Sequence, residues 1–261
     1  MIPVAASPYP IVMAHRGGAH EAPENSMAAF RRLADLGIRY VETDVQLTSD
    51  GVVVVCHDEE LDRSYGGEGP ILEHTYEEIL GLRDAEGNQM PRLADVLGEF
   101  PDLYLNVDAK TDQVAEPMLE VLQEYEALDR TMIASFSEKR LERIRQIAGP
   151  AVSTSLGVSA VVRLMMAAET VSNPETWHVP GPRHHARAVQ VPEKTRGIRV
   201  VTPRFVATAH TAGLAVHVWT VNDPDKMVEL VDMGVDGLIT DRPSMAKELL
   251  ADMGRWDPEV G

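Results

Sequence analysis

The chain has 261 residues, 44% of them hydrophobic, which is enough for one large core and is a usual size for a single α/β barrel. Its 24 basic and 41 acidic residues give a net charge of −17, which argues against nucleic acid or an anionic membrane as the main partner. We therefore expect one domain over residues 1–261, in which a few placed residues or a metal ion bind any anionic ligand. The oligomeric state stays open.

The amino terminus and the cysteine content bear on location. The ten residues before the first apolar strand contain neither a basic start nor the long hydrophobic region of a signal peptide. Cys56 has no second cysteine with which to form a disulfide. No run approaches the roughly 20 apolar residues of a membrane span. These features favour a cytoplasmic protein without a membrane-spanning segment.

Short β-branched runs alternate with stretches of helical periodicity, which indicates repeated βα units around a parallel sheet. The predicted strands are residues 11–14, 39–46, 103–108, 131–135, 151–155, 187–191, 215–221 and 237–240. Eight βα units in about 250 residues are typical of the (β/α)8 or TIM barrel, whose active site lies at the carboxyl ends of the strands.

The first predicted helix spans residues 26–37. Its apolar face is formed by Met27, Phe30, Leu33 and Ala34. Asn25 is placed to cap its amino terminus, and Gly37 is placed to end it.

Two segments interrupt the alternation. Residues 52–57 follow the second strand after the short turn TSDG, in which Asp50 and Gly51 predict a β-hairpin, so we expect an antiparallel excursion at the barrel rim. Residues 59–92 are polar and turn-rich, which predicts a small insertion over that rim. Residues 170–188 are irregular, and the sequence leaves open which end of the barrel they cover.

Carboxylates occur in the second predicted strand where apolar residues are expected. Because side chains alternate along a strand, Glu42 and Asp44 share the inward face. Two buried carboxylates are costly unless a cation or a proton lies between them. In the third predicted strand, Asp108 and Lys110 repeat the arrangement.

Three carboxylates from two adjacent strands are oxygen donors of the kind that Mg²⁺ or Ca²⁺ prefers. We therefore predict one divalent ion, Mg²⁺ or Ca²⁺, bound by Glu42, Asp44 and Asp108. The alternative is that these carboxylates form ion pairs with Lys110 or Arg16.

The first strand ends in AHRGG, which places His15 and Arg16 at the same rim, beside glycines that allow a close approach of the backbone to a ligand. His57 closes the predicted hairpin near them. Two histidines beside a carboxylate cluster can act as acid and base near neutral pH. Arg16 and Lys110 provide positive charge for a phosphate.

The last two strands contribute fewer candidates. His217, Trp219 and Val221 are expected on one face of the seventh strand. Trp219 either fills the core or forms a flat wall for an apolar or glycerol-like group. Asp241, at the exit of the eighth strand, is interpreted as a structural residue.

The chain resembles the glycerophosphodiester phosphodiesterases in segments that follow one another from about Met13 to Pro243: AHRGGAHEAPENSMAAF, VETDVQLTSDGVVVVCHD, MPRLADVL, NVDAK, VHVWTVND and GVDGLITDRP. The resemblance implies a TIM barrel that uses a divalent metal to hydrolyse glycerophosphodiesters to an alcohol and glycerol 3-phosphate. It also implies these roles: His15 and His57 as acid and base, Arg16 as phosphate contact, Glu42 and Asp44 as metal ligands, Glu24 and Asn25 near the substrate pocket. The third ligand of the family is normally glutamate in the pattern N-x-E-x-K, whereas this chain has Asp108 in NVDAK.

Two other functions are compatible with the sequence. A related barrel phosphodiesterase would act on lysophospholipid or sphingomyelin-type diesters, which need an apolar platform at the rim. With 5% aromatic residues and no obvious exposed apolar loop, the sequence favours small water-soluble diesters instead. A non-catalytic phosphodiester-binding barrel would show losses at the site, yet both histidines, the two cationic residues and the three carboxylates are present.

Overall fold

The computed structural model describes residues 9–258. The predicted absence of a signal peptide concerns the first ten residues, of which residues 1–8 lie outside this range, so that absence and the cytoplasmic location stay predictions. Within residues 9–258, no helix has both the length and the apolar character needed to cross a membrane.

Eight parallel strands of the described chain close into a barrel. Strands β1 to β11 are, in chain order, Ile11–His15, Tyr40–Leu47, Val53–Val55, Tyr104–Ala109, Thr131–Ala134, Ser153–Thr154, Ala188–Pro192, Lys194–Thr195, Ile198–Arg199, Ala215–Trp219 and Gly237–Thr240. The barrel strands neighbour one another in the order β6-β5-β4-β2-β1-β11-β10-β7, and a parallel bridge between Thr154 and Ala186 joins the two ends. The predicted TIM barrel is therefore confirmed.

Helices cover the outside of the barrel. In chain order, α1 to α10 are Met27–Asp35, Asp62–Tyr65, Tyr76–Ile79, Leu93–Glu99, Ala115–Glu124, Glu138–Ala148, Val158–Glu169, Pro203–Thr211, Pro224–Asp232 and Pro243–Asp252. Short 3-10 turns occupy Ile71–Glu73, Leu128–Arg130, Gly149–Ala151, Pro174–Trp177 and Pro182–His184. Because a helix follows every barrel strand, each chain crossover returns to the amino-terminal end of the barrel.

The barrel interior changes from apolar to polar along its axis. Its apolar cluster comprises Ile11, Met13, Tyr40, Met132, Ala188, Ala215 and Ile239. Tyr40 stacks on Tyr104 with ring centroids 5.0 Å apart. Large side chains of this kind stabilise the fold by about 1.5–3 kcal/mol each when fully buried. Since most of these residues precede the polar positions of their strands, the polar side chains gather at the carboxyl ends.

The amino terminus of α1 differs from the prediction. Ser26 is the N-cap, and its hydroxyl accepts a hydrogen bond from the Ala29 N–H at 3.0 Å. Asn25 is not the cap, because its side chain donates to Asp44 instead. The buried face consists of Ala29, Phe30 and Leu33, while Ala34 is exposed. Gly37 follows the helix with φ of 66°, as expected for a residue that ends it.

Two predicted strands are too long. Residues 151–155 contribute only Ser153–Thr154, because the preceding residues form a 3-10 turn. The strand predicted over residues 215–221 ends at Trp219. Val221 consequently packs in the apolar cluster between strands and helices and does not share the inward face of Trp219.

The predicted hairpin and insertion are present. β3 pairs antiparallel with β2, with Val55 opposite Val45. The insertion of residues 59–92 packs with the hairpin around a core of its own, which we call the insertion core: Val54, Cys56, Leu61, Tyr65, Ile71, Ile79 and Met90. This core fixes the end of the hairpin, which His57 directly follows in the chain.

Residues 170–188 lie between the end of α7 and the start of β7, and therefore at the amino-terminal end of the barrel. The segment packs on α7 and α8, and the Trp177 indole donates to the Ser172 hydroxyl at 2.6 Å. It therefore lies at the end of the barrel opposite to the polar strand ends.

Candidate active site

A cavity of about 440 Å³ opens at the carboxyl ends of the barrel strands. The predicted site residues that line it are His15, Arg16, Glu42, Asp44, His57, Asp108, Lys110 and Trp219. Glu24 and Asn25 lie behind this surface, where they contact Arg16 and Asp44. The structure therefore brings every predicted site residue to one place, eight of them on the cavity surface.

Strand register brings the three carboxylates together. Asp44 of β2 lies opposite Asp108 of β4, and Glu42 lies opposite His15 of β1. The exposed fraction is 2% for Asp44 and 8% for each of the other two carboxylates. Three buried carboxylates in adjacent positions require a positive charge beside them.

Lys110 provides part of that charge. Its Nζ lies 2.7 Å from Asp44 Oδ1 and 2.7 Å from Asp108 Oδ2, and Arg16 Nε lies 3.5 Å from Asp44 Oδ2. Burial alone would raise the pKa of Asp44, but Lys110 and the hydrogen bond from Asn25 hold that pKa below its usual range. The ion pairs that the sequence left as an alternative to metal binding are thus formed.

Glu42 has no such partner. It accepts a hydrogen bond from the Arg16 backbone N–H at 3.1 Å, and His15 Nε2 lies 3.9 Å from the same oxygen. Burial, and then the charge of Asp44, raise the pKa of Glu42 to about 8. Burial also raises the pKa of Asp108, although Lys110 opposes the shift. The three carboxylates together therefore carry more negative charge than Lys110 and Arg16 offset.

The donor set suits a divalent ion, because buried carboxylate oxygens with insufficient counter-charge are what Mg²⁺ and Ca²⁺ bind. The side chains are paired with Lys110 in the described conformation, and among residues 9–258 no three His, Cys, Asp or Glu side chains stand in a metal-binding arrangement. The residues therefore fit an ion by the chemistry of their oxygen donors, while the Lys110 ammonium lies between two of the three carboxylates.

His15 is held by a residue from the last strand. Its Nδ1 lies 2.7 Å from Asp241 Oδ1, and Asn222 donates to Asp241 Oδ2 at 2.7 Å. Burial alone would lower the pKa of His15, but the hydrogen bond to Asp241 and the charge of Glu42 raise it. The sequence interpreted Asp241 as a structural residue, and the closure of β11 on β1 places its carboxylate against His15.

His57 is held by its neighbour in the chain. Its Nδ1 lies 2.8 Å from Asp58 Oδ1, and Arg63 and Ser64 donate to Asp58 Oδ2. Although burial opposes the shift, hydrogen bonds from Arg63 and His57 lower the pKa of Asp58 to about 2. Both histidines thus use Nδ1 to contact a carboxylate, which leaves Nε2 as the atom for a substrate.

Arg16 is fixed from behind. Its guanidinium donates to Glu24 Oε2 at 3.1 Å, and the second oxygen of Glu24 accepts a hydrogen bond from Arg63 at 2.5 Å. The glycines that follow contact protein instead of lining the cavity. A Cβ on Gly17 would lie 2.7 Å from Ala29 Cβ, and one on Gly18 would lie 2.8 Å from Pro243 Cγ.

The other side of the cavity is apolar. We call this surface the apolar wall, and it consists of Phe136, Val158, Val161, Val162, Met165 and Val200. The exposed fraction is 61% for Phe136, 52% for Val158 and 51% for Val162. Phe136 meets Trp219 edge to face with ring centroids 6.0 Å apart, so Trp219 adjoins the wall on the cavity surface. The prediction that the rim lacks an exposed apolar surface is wrong.

Sequence reasoning missed Asp58, Asn222, the contact of Asp241 with His15 and the apolar wall. Asp58 could have been found from its position directly after His57. Asp241 could have been found from barrel closure, which places the last strand beside the first. The wall had no clear signal, because apolar residues of α7 face both the core and the cavity within one run.

Residues 15–245 match the model of the Glycerophosphoryl diester phosphodiesterase family. The probable glycerophosphodiester phosphodiesterase 2 of Mycobacterium tuberculosis is 38% identical over 248 residues, which cover 95% of this chain and 93% of that protein. A putative glycerophosphoryl diester phosphodiesterase from Silicibacter pomeroyi DSS-3 superposes with a TM-score of 0.79 at 26% identity, covering 97% of this chain and 98% of that one.

The Oleispira antarctica phosphodiesterase OLEI02445, solved in complex with the product sn-glycerol-3-phosphate, shares the fold with a TM-score of 0.78 at 23% identity, covering 93% of this chain and 97% of that one. The family match extends from His15 at the end of β1 to beyond Asp241, and so includes both ends of the site. The chain therefore belongs to the glycerophosphoryl diester phosphodiesterase family and is a phosphoric diester hydrolase.

Proposed function

We propose that this enzyme cleaves glycerophosphodiesters to an alcohol and glycerol 3-phosphate by acid/base catalysis with His15 and His57, at a divalent ion bound by Glu42, Asp44 and Asp108. One observation carries the proposal: two histidines, each held at Nδ1 by a carboxylate, line one cavity beside three buried carboxylates. The glycerol 3-phosphate product in the Oleispira antarctica protein of the same fold supports the substrate class.

The two histidines divide the proton transfers. One takes the proton of the attacking oxygen, and the other gives a proton to the leaving alkoxide, so that no strong base or alkoxide is released into water. Asp241 and Asp58 fix the orientation of the two imidazole rings. The attacking oxygen belongs either to water or to the neighbouring glycerol hydroxyl.

Cationic groups neutralise the phosphate. The Arg16 guanidinium is held by Glu24 at the cavity surface, and Lys110 lies across the cavity floor between two carboxylates. Glu42, Asp44 and Asp108 would hold Mg²⁺ or Ca²⁺, which would supply further positive charge at the site. In a chain of net charge −17, these groups make a local region that accepts an anion.

The test is coupled detection of glycerol 3-phosphate released from glycerophosphocholine, glycerophosphoethanolamine and glycerophosphoglycerol. The enzyme is first treated with a chelator, and Mg²⁺, Ca²⁺ or Mn²⁺ is then restored. We expect release to stop with the chelator and to return with one of these ions. Full activity in chelator would contradict the metal requirement, and no release under any condition would contradict the substrate class.

A further inference from the structure

We infer that the cavity binds phosphodiesters that carry one long alkyl chain, with the chain lying on the apolar wall and the phosphate lying beside Arg16 and the two histidines. This inference rests on the proposed function, because it specifies the substrate of the same site. Single-chain diesters of the lysophospholipid type have this chemistry.

The apolar wall and the catalytic residues share one enclosure. His15, His57 and Lys110 line the same cavity as Val158 and Met165, and Trp219 lines it beside Phe136 of the wall. A ligand whose phosphate lies at the histidines therefore extends onto the wall without leaving the cavity.

The wall is long enough for a chain. Val158, Val161, Val162 and Met165 are spaced at intervals of three and four residues, which places them on one face of α7. At 1.5 Å per residue, the seven steps from Val158 to Met165 span about 10 Å. This distance is two helical turns, whereas a choline or ethanolamine group would cover only one.

Charge separates the two ends of the cavity. Among the described residues that line it, the charged side chains Arg16, Glu42, Asp44, Asp108 and Lys110 all lie at the phosphate end. A polar or charged headgroup placed on the wall would have no charged partner there. An alkyl chain needs none and gains by leaving water.

The exposure of the wall to solvent also favours a bound alkyl chain. Phe136, Val158 and Val162 each expose more than half of their surface, although they lie next to one another beside a cavity. Contiguous exposed apolar side chains beside a cavity are a feature of ligand-binding grooves. At full burial each methylene improves binding about 4-fold.

The inference is tested with choline diesters that differ only in chain length. Choline release is measured for glycerophosphocholine and for its hexanoyl, octanoyl and decanoyl lyso derivatives, all below micelle concentration. We expect kcat/KM to rise with chain length, by at least about 10-fold from glycerophosphocholine to the decanoyl diester. A flat or falling series would overturn the inference.

Two matched variants on α7 locate the effect. Val162→Gln places an amide on the wall and is expected to remove most of the chain-length dependence. Met166→Gln makes a comparable change at a residue of the same helix that is 45% exposed and lies away from the cavity lining, and it is expected to keep the dependence. Equal dependence in the two variants would place the chain elsewhere and overturn the inference.

Failure of the proposed function has a different signature. If choline is released from no diester, including glycerophosphocholine, the proposed reaction is wrong. Calorimetric binding of hexyl-, octyl- and decylphosphocholine to the wild type and to Val162→Gln then tests the wall without turnover. Affinity that is independent of chain length, or unchanged by the substitution, would overturn the inference.

Discussion

Asp241 Oδ1 lies 2.7 Å from His15 Nδ1 across the seam where the last strand of the barrel closes on the first. This contact fixes which nitrogen of His15 faces the cavity. It also makes the orientation of a residue at position 15 depend on the far end of the chain.

We expect Asp241→Asn to lower kcat by about 10²-fold or more, because an amide in place of the carboxylate neither accepts from Nδ1 reliably nor favours the imidazolium. Steady-state kinetics with glycerophosphocholine measures the effect. His20→Ala is the control, because it removes a longer contact of Asp241, at 3.8 Å from Oδ2, and leaves the bond between Asp241 and His15 in place. We expect this variant to keep the kcat of the wild type. Similar rates for Asp241→Asn and wild type would contradict a role in orienting His15.

Replacing His15 or His57 by alanine is expected to reduce the turnover of glycerophosphocholine by at least about 10²-fold. A p-nitrophenyl phosphodiester separates the two roles, because its leaving group departs without a proton. The variant without the general acid is expected to recover activity on this substrate, and the variant without the base is not. Near-normal turnover of glycerophosphocholine by either variant would contradict the assignment.

Lys110→Met tests the divalent ion through stability. Without the ammonium, Asp44 and Asp108 lose a partner at 2.7 Å, and we expect the metal-free protein to lose about 3 kcal/mol of unfolding free energy at neutral pH. An ion that binds the three carboxylates replaces this charge. Addition of Mg²⁺ or Ca²⁺ should therefore raise the Tm of the variant more than that of the wild type. No response of the variant Tm to either ion would argue against the metal site.

His217 makes the fold sensitive to acid. Its side chain is fully buried beside Gln190 in the barrel, and burial lowers its pKa from 6.5 to about 4. In the unfolded chain the ring takes up a proton near pH 6.5, whereas in the native protein it stays neutral to about pH 4. The contribution of the neutral His217 ring to the free energy of unfolding is thus fully present above pH 6.5. It is lost as the pH falls towards 4, by on the order of 3 kcal/mol in total.

Urea denaturation at pH 7, 5.5 and 4.5 measures this loss. We expect His217→Gln to show a smaller decrease in unfolding free energy over the range than the wild type. His178→Gln is the control, because His178 is a solvent-exposed residue in the segment at the amino-terminal end of the barrel, away from the barrel interior. Equal decreases for the wild type and His217→Gln would show that another group carries the acid sensitivity.

Features that depend on local periodicity could be predicted from the sequence, and features that depend on long-range contacts could not. The inward position of Glu42 and Asp44 follows from alternation within one strand, so it could be predicted without knowing the neighbours of that strand. The side-chain bond of Asn25 to Asp44 depends on how the loop after β1 folds over β2. Asn25 is also a local capping signal in this loop, but its side chain donates to the buried carboxylate of Asp44, and Ser26 caps the helix instead.

The apolar wall was beyond prediction for a different reason. Helix α7 has buried residues such as Leu164 against the barrel and half-exposed ones such as Val162 at the cavity, and both are simply apolar in the sequence. Which apolar face is covered depends on the neighbouring loops. The hydrophobic pattern of such a helix shows which residues are apolar, but it does not show which of them face a ligand.

The insertion core has a consequence for inactivation. His15 is carried by the barrel, whereas His57 follows a hairpin that packs on the small separate cluster of Val54, Cys56 and Tyr65. Small clusters open at lower free energy than a barrel. On gradual warming the enzyme is therefore expected to become inactive while most of its helical circular dichroism remains. On cooling it is expected to regain turnover, because the barrel stays folded and the hairpin that carries His57 can pack against it again.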